Sequence, residues 1–66
     1  MTLRINGTTR EVPPLGDIAE LVRELQLTPA TVLIEHNGTA LRRDEWAHSR
    51  LKNNDTIEVL RIVAGG

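Results

Sequence analysis

Residues 17–26, DIAELVRELQ, constrain the fold more than any other part of the chain. Ile18, Leu21, Val22 and Leu25 recur at i, i+3, i+4 and i+7, which lines them up as one apolar stripe on an α-helix. Glu20, Arg23, Glu24 and Gln26 fall on the other side. A helix that is apolar on one side only must bury that side against something flat. Asp17 suits the N-cap, with Glu20 three residues on as in a capping box, and Thr28-Pro29 is the expected stop because proline forces its predecessor out of the helical region.

The flat partner is legible on both sides of this helix. TLRIN places Leu3 and Ile5 on one face and Thr2, Arg4 and Asn6 on the other, the period of a half-buried strand. Asn6-Gly7 supplies two positive-φ positions for a tight hairpin, TTREV returns with Val12 inward, and Pro13-Pro14 ends the strand. After the helix, TVLIEH reads as a third strand, Asn37-Gly38 as a second tight turn, and Thr39–Leu41 as a short fourth strand. A helical turn is expected around Asp44 to Ala47, with Trp46 plugging the end of the core. KNND is a loop, and TIEVLRIV is a long last strand rich in β-branched residues. The expected fold is α+β: a mixed sheet of four to five strands with one main helix across one face.

One helix covers one sheet face, so strand residues divide into a covered and an open set. The expected core is Leu3, Ile5, Val12, Ile18, Leu21, Val22, Leu25, Val32, Ile34, Ile57 and Val59. Leu33, Leu60 and Ile62 are left on the open face, where, if contiguous, they make a docking patch leading into the end of the chain.

Composition removes several classes of function. Eight Lys and Arg against nine Asp and Glu give a net charge of −1, which supplies no broad basic field for nucleic acid or an anionic membrane. Trp46 is the only aromatic residue, so base-stacking platforms are missing. There is no cysteine to hold a metal, a disulfide or a persulfide. No apolar run approaches the roughly 18 residues of a membrane span, and MTLRINGTTR lacks a signal-peptide core, so a cytoplasmic protein is expected. His36 and His48 have no convergent carboxylate or second ligand at suitable spacing and read as structural or solvated. Arg42 and Arg43 could meet an acidic partner or a phosphate; ordinary surface charge explains them equally well.

The order of these elements, with VLIEHNG, LRRDEW, LKNNDTIEVLRIVAGG and the opening LRINGTTREV, resembles the ubiquitin-like sulfur carriers, most closely the ThiS carriers of thiazole biosynthesis. The resemblance runs from Met1 to Gly66. Arg42, where the family often has proline, and NND, in place of Asp-Gly-Asp, are departures confined to turns. The resemblance implies a β-grasp domain over residues 1–63 and a tail at Ala64, Gly65 and Gly66 that enters a partner's active site. It also implies that the chain is a protein co-substrate with no catalytic residue, metal or bound cofactor of its own. A ThiF-like activating enzyme, using ATP and magnesium, would adenylate the Gly66 carboxylate. A persulfide donor would convert it to a thiocarboxylate, and a ThiG-like thiazole synthase would take the sulfur. Leu33, Leu60, Ile62 and Arg43 are the expected partner-docking residues. A molybdopterin-type sulfur carrier and a ubiquitin-like protein modifier are the alternatives.

The chemistry suits the residues. A carboxylate is a poor electrophile until it is joined to a leaving group such as AMP. Glycines let a backbone enter a narrow nucleotide site without Cβ atoms. Three residues beyond Val63 reach at most about 10 Å. Sulfur carried on a C-terminal carbonyl needs no thiol side chain.

Overall fold

Both Asn-Gly pairs turn the chain as expected, with Asn6 and Gly7 at φ 50° and 80° and Asn37 and Gly38 at 50° and 86°. A glycine at the second position of each turn takes this left-handed conformation without a steric penalty. The first turn joins β1 (Thr2–Ile5) to β2 (Thr8–Glu11), and the second joins β3 (Val32–His36) to β4 (Thr39–Leu41). The last strand, β5 (Thr56–Arg61), lies between the hairpins, parallel to β1 and antiparallel to β3, so the five-stranded sheet has the order β2-β1-β5-β3-β4. The computed structural model describes residues 1–62. The expectations placed on Val63, Ala64, Gly65 and Gly66, including the end of the last strand and the tail, lie outside the described residues.

The helix α1 (Ile18–Glu24) starts as expected: Asp17 is its N-cap and accepts a 2.9 Å hydrogen bond from the Glu20 N–H. Its start is clamped to the other side of the molecule, where the Ile18 N–H donates to the Ser49 carbonyl and the Leu51 N–H to the Gly16 carbonyl. Its end differs from the expectation. The helix stops before Thr28-Pro29, because Gln26 takes a left-handed conformation at φ 56°. The Gln26 N–H then donates to the Arg23 carbonyl and the Leu27 N–H to the Val22 carbonyl, the Schellman pattern. Leu25 is therefore a C-cap and not a core helical residue. Two short 3₁₀ segments follow, Pro29–Thr31 before β3 and Arg43–His48 after β4; the second contains the turn expected at Asp44 to Ala47.

The core consists of Leu3, Ile5, Val12, Ile18, Leu21, Val22, Val32, Ile34, Trp46, Leu51 and Ile57. Leu25 and Val59, both expected inside, are only partly buried against it. Length accounts for both. A seven-residue helix is roughly 10 Å long, whereas six strand residues extend roughly 20 Å, so α1 covers only part of β5. Trp46, expected as a plug, is buried in the core, and Leu51 joins it from outside the expected set.

Candidate functional site

The open face of the sheet carries the candidate site. Register places Leu33 on β3 directly opposite Leu60 on β5. The pairing extends one step past both strands, where the Ile62 N–H donates to the Thr31 carbonyl at 2.7 Å, so Ile62 lies two residues beyond Leu60 on the same side. Leu33, Leu60 and Ile62 are 52%, 48% and 45% exposed and form one contiguous apolar strip. The next pair along the same strands is Glu35 opposite Glu58. Like charges directly across a sheet repel, and among the described residues neither carboxylate has a cation within ion-pairing distance. The strip therefore has an acidic border.

Two asparagine side chains hold β5, the strand that presents Leu60. On the β1 side, Asn6 Oδ1 accepts from the Val59 N–H at 2.7 Å and Asn6 Nδ2 donates to the Val59 carbonyl at 3.2 Å. On the β3 side, Asn37 Oδ1 accepts from the Thr56 N–H while the Asn37 N–H donates to the Thr56 carbonyl, both at 2.8 Å. Each asparagine thus makes the turn and also continues the ladder beyond its strand. Only the first role is legible from an Asn-Gly dipeptide.

A buried carboxylate anchors the same corner. Asp55, 8% exposed, accepts from His36 Nε2 at 2.7 Å, from Asn37 Nδ2 at 3.1 Å and from the Lys52 N–H at 2.9 Å. Burial alone would raise its pKa, but the hydrogen bonds from His36, Asn37 and Lys52 outweigh burial and hold the carboxyl below its ordinary range. This corrects the reading that no carboxylate converges on His36. The two residues are 19 apart in sequence, and only the β3–β5 pairing brings them together. The pair ties β3 to the loop before β5, because one carboxylate holds His36 at the end of β3, Asn37 in the turn after it and the Lys52 N–H together. His48 ends the second 3₁₀ segment, exposed.

Arg43 separates from the other expected docking residues. It lies beside α1, on the helical layer, lining a groove with Ala19, Val22, Arg23 and Trp46. Among the described residues no group of three or more His, Cys, Asp or Glu side chains is placed to hold a metal ion, and no helix is long and apolar enough to cross a membrane.

A five-stranded mixed sheet, one short helix on its inner face and an apolar strip on its outer face define a β-grasp domain of the ubiquitin-like carrier class. The ThiS family model matches residues 3–66, and the chain belongs to the ThiS family. The crystal structure of the thiamine biosynthesis protein ThiS from Geobacter metallireducens is similar, with a TM-score of 0.83 at 30% identity over 100% of both chains. The solution structure of a thiamine biosynthesis protein from the same organism gives 0.82 at 30% identity, covering 100% of this chain and 88% of that one. The uncharacterized protein ycf40 of Trieres chinensis is 26% identical over 65 residues, 98% of this chain and 89% of its own length.

Proposed function

We propose that this protein is a sulfur carrier for the thiazole ring of thiamin, with Gly66 as the working residue. The observation that carries this reading is the ThiS family match, which runs through Gly65 and Gly66. In this reading a carboxylate oxygen of Gly66 attacks the α-phosphorus of ATP on a ThiF-like enzyme, releasing pyrophosphate, with magnesium held by that enzyme. The terminal sulfur of a persulfide then displaces AMP from the acyl adenylate. Reduction of the resulting acyl disulfide by a thiol frees the thiocarboxylate, which a ThiG-like thiazole synthase consumes. The chain itself is a cytoplasmic co-substrate and not a catalyst.

Ala64, Gly65 and Gly66 are the segment that enters the partner's pocket, and the strip of Leu33, Leu60 and Ile62 is the surface that holds the domain outside it. Ordering two glycines costs roughly 1 to 2 kcal/mol each. Burying the strip offsets this, at roughly 25 cal/mol per Å² of apolar surface removed from water. The test is an intact mass after incubation with the activating enzyme, ATP, magnesium, a persulfide donor and a thiol reductant. Replacement of one oxygen by sulfur, localised to Gly66 by fragmentation, is expected; an unchanged mass with active enzyme and donor overturns the reading.

A further inference from the structure

The groove on the helical layer, remote from the open face, has features that the carrier function does not use. It has a volume of about 240 Å³ and runs between α1 and the 3₁₀ segment Arg43–His48, lined by the buried Val22 and Trp46 and the half-buried Ala19, with the exposed Arg23, Pro29, Arg43 and Ala47 at its rim. Small-molecule sites usually occupy about 300–1,000 Å³, so a groove below that range suits an anchoring side chain better than a whole ligand.

Its charge is the second observation. The chain carries a net charge of −1, yet two exposed arginines flank this groove, and neither takes part in an ion pair among the described residues. The two acids that follow Arg43 in the chain are already engaged elsewhere. Asp44 Oδ1 lies 3.3 Å from Arg42 Nε, and Glu45 Oε1 accepts from the Arg42 N–H at 2.7 Å. Arg42 thus draws both carboxylates toward itself and leaves Arg43 as a free cation at the rim. Trp46 supplies the third observation. It is 5% exposed, and its Nε1–H has no hydrogen-bond acceptor among the described residues. A buried donor without an acceptor is costly, and tryptophan and arginine are the residue types that most often dominate protein interfaces.

We propose that this groove is a second docking site, which takes an apolar side chain from an acidic segment of a partner protein. The anchor packs on Ala19, Val22 and Trp46, and flanking carboxylates meet Arg23 and Arg43. A slight opening of the groove brings a backbone carbonyl of the segment to Trp46 Nε1–H. Leu33, Leu60 and Ile62 face away on the uncovered side of the sheet, so the acidic segment and the open-face partner bind at the same time. The site is independent of the sulfur-carrier reading and stands or falls separately from it.

Trp46 is the only aromatic residue, so its emission reports directly on the groove. The probe is a short N-acetylated, C-amidated peptide in which leucine alternates with aspartate and glutamate, with two controls: the same peptide carrying lysine in place of the acids, and one carrying serine in place of leucine. A saturable emission shift with the acidic leucine peptide alone is expected, weakening as salt is raised. Arg23→Glu with Arg43→Glu should weaken it at least about tenfold, since the rim charges then repel the probe. Arg23→Gln with Arg43→Gln should fall between, and Leu33→Asp with Leu60→Asp should bind like the parent. Melting curves confirm that the exposed arginine variants remain folded. Equal titration by the acidic and lysine peptides overturns the proposal, as does an affinity unaffected by charge reversal. So does the same shift with inorganic phosphate alone, which would reveal a bare anion site, or binding lost only in the Leu33 and Leu60 variant.

Discussion

Asp55→Ala removes one acceptor and strands three donors, His36 Nε2, Asn37 Nδ2 and the Lys52 N–H, in a part-buried corner. Hydrogen bonds to a charged group contribute about 1.5–3 kcal/mol each, but the three share one carboxylate and water partly replaces it in the variant, so the expected loss is about 2–4 kcal/mol at pH 7. A domain of this size has roughly 3–10 kcal/mol of stability in all, so the melting temperature should fall by roughly 10–25 °C. The pH dependence has a definite sign. Because the folded pKa of Asp55 is lowered from 3.8, its contribution is fully present above the unfolded value and disappears as pH falls through the folded one. Urea unfolding followed by Trp46 emission at pH 7 and at successively lower pH should show the gap between parent and Asp55→Ala narrowing once pH drops below about 4. Asp55→Asn keeps the shape without the charge and should lose less. A gap below about 0.5 kcal/mol at pH 7, the size of an ordinary surface change, would show that Asp55 does not hold this corner, and so would a gap that widens as the carboxyl protonates.

Three further outcomes follow from the sheet. Leu33→Asp with Leu60→Asp should slow adenylation of Gly66 by the activating enzyme at least about tenfold; urea stability should fall by no more than about 2 kcal/mol, about 0.5 kcal/mol for each half-exposed site plus about 0.2–1 kcal/mol for two carboxylates placed opposite each other, which leaves the domain folded. Glu58→Gln removes the cross-strand repulsion with Glu35 and should stabilise the free protein by about 0.2–1 kcal/mol, a gain that shrinks in high salt when urea midpoints are compared. Asn6→Gly keeps the turn but loses both bonds to Val59, costing about 1–2 kcal/mol. Asn6→Ala should cost about 1–2 kcal/mol more than the glycine variant, because alanine must also adopt the left-handed φ.

What the sequence discloses of this fold is mostly what is local. The apolar stripe of α1, the Asp17 cap and both Asn-Gly turns depend on residues a few positions apart, and each forms as its pattern dictates. The helix end is local too, yet the pattern points past it to Thr28-Pro29, because a left-handed Gln26 does the work usually assigned to glycine and leaves no signal in composition. Leu51 sits between turn formers with no periodicity to mark it, although the backbone bond to Gly16 carries it into the core. The open-face strip was legible because alternation alone sorts residues by face. Its acidic border was not, since the opposition of Glu35 and Glu58 depends on the register of β3 and β5. The same register joins His36 to Asp55. Arg43 shows the converse limit: its residue type suits docking beside Leu33, Leu60 and Ile62, whereas the chain path after β4 carries it to the helical layer.

A sulfur carrier is defined by the path its sulfur takes. A persulfide donor carrying isotopically labelled sulfur should be supplied, with a thiol reductant, to the activating enzyme, ATP, magnesium, this protein and a thiazole synthase with its remaining substrates. Mass spectrometry then follows the label in both protein and product. Label is expected first on Gly66 and then in the thiazole, with the carrier returned to its unlabelled carboxylate. Label that reaches Gly66 but is taken up only by a molybdopterin synthase, or a Gly66 carbonyl that ends in amide linkage to lysines of other proteins, would contradict it.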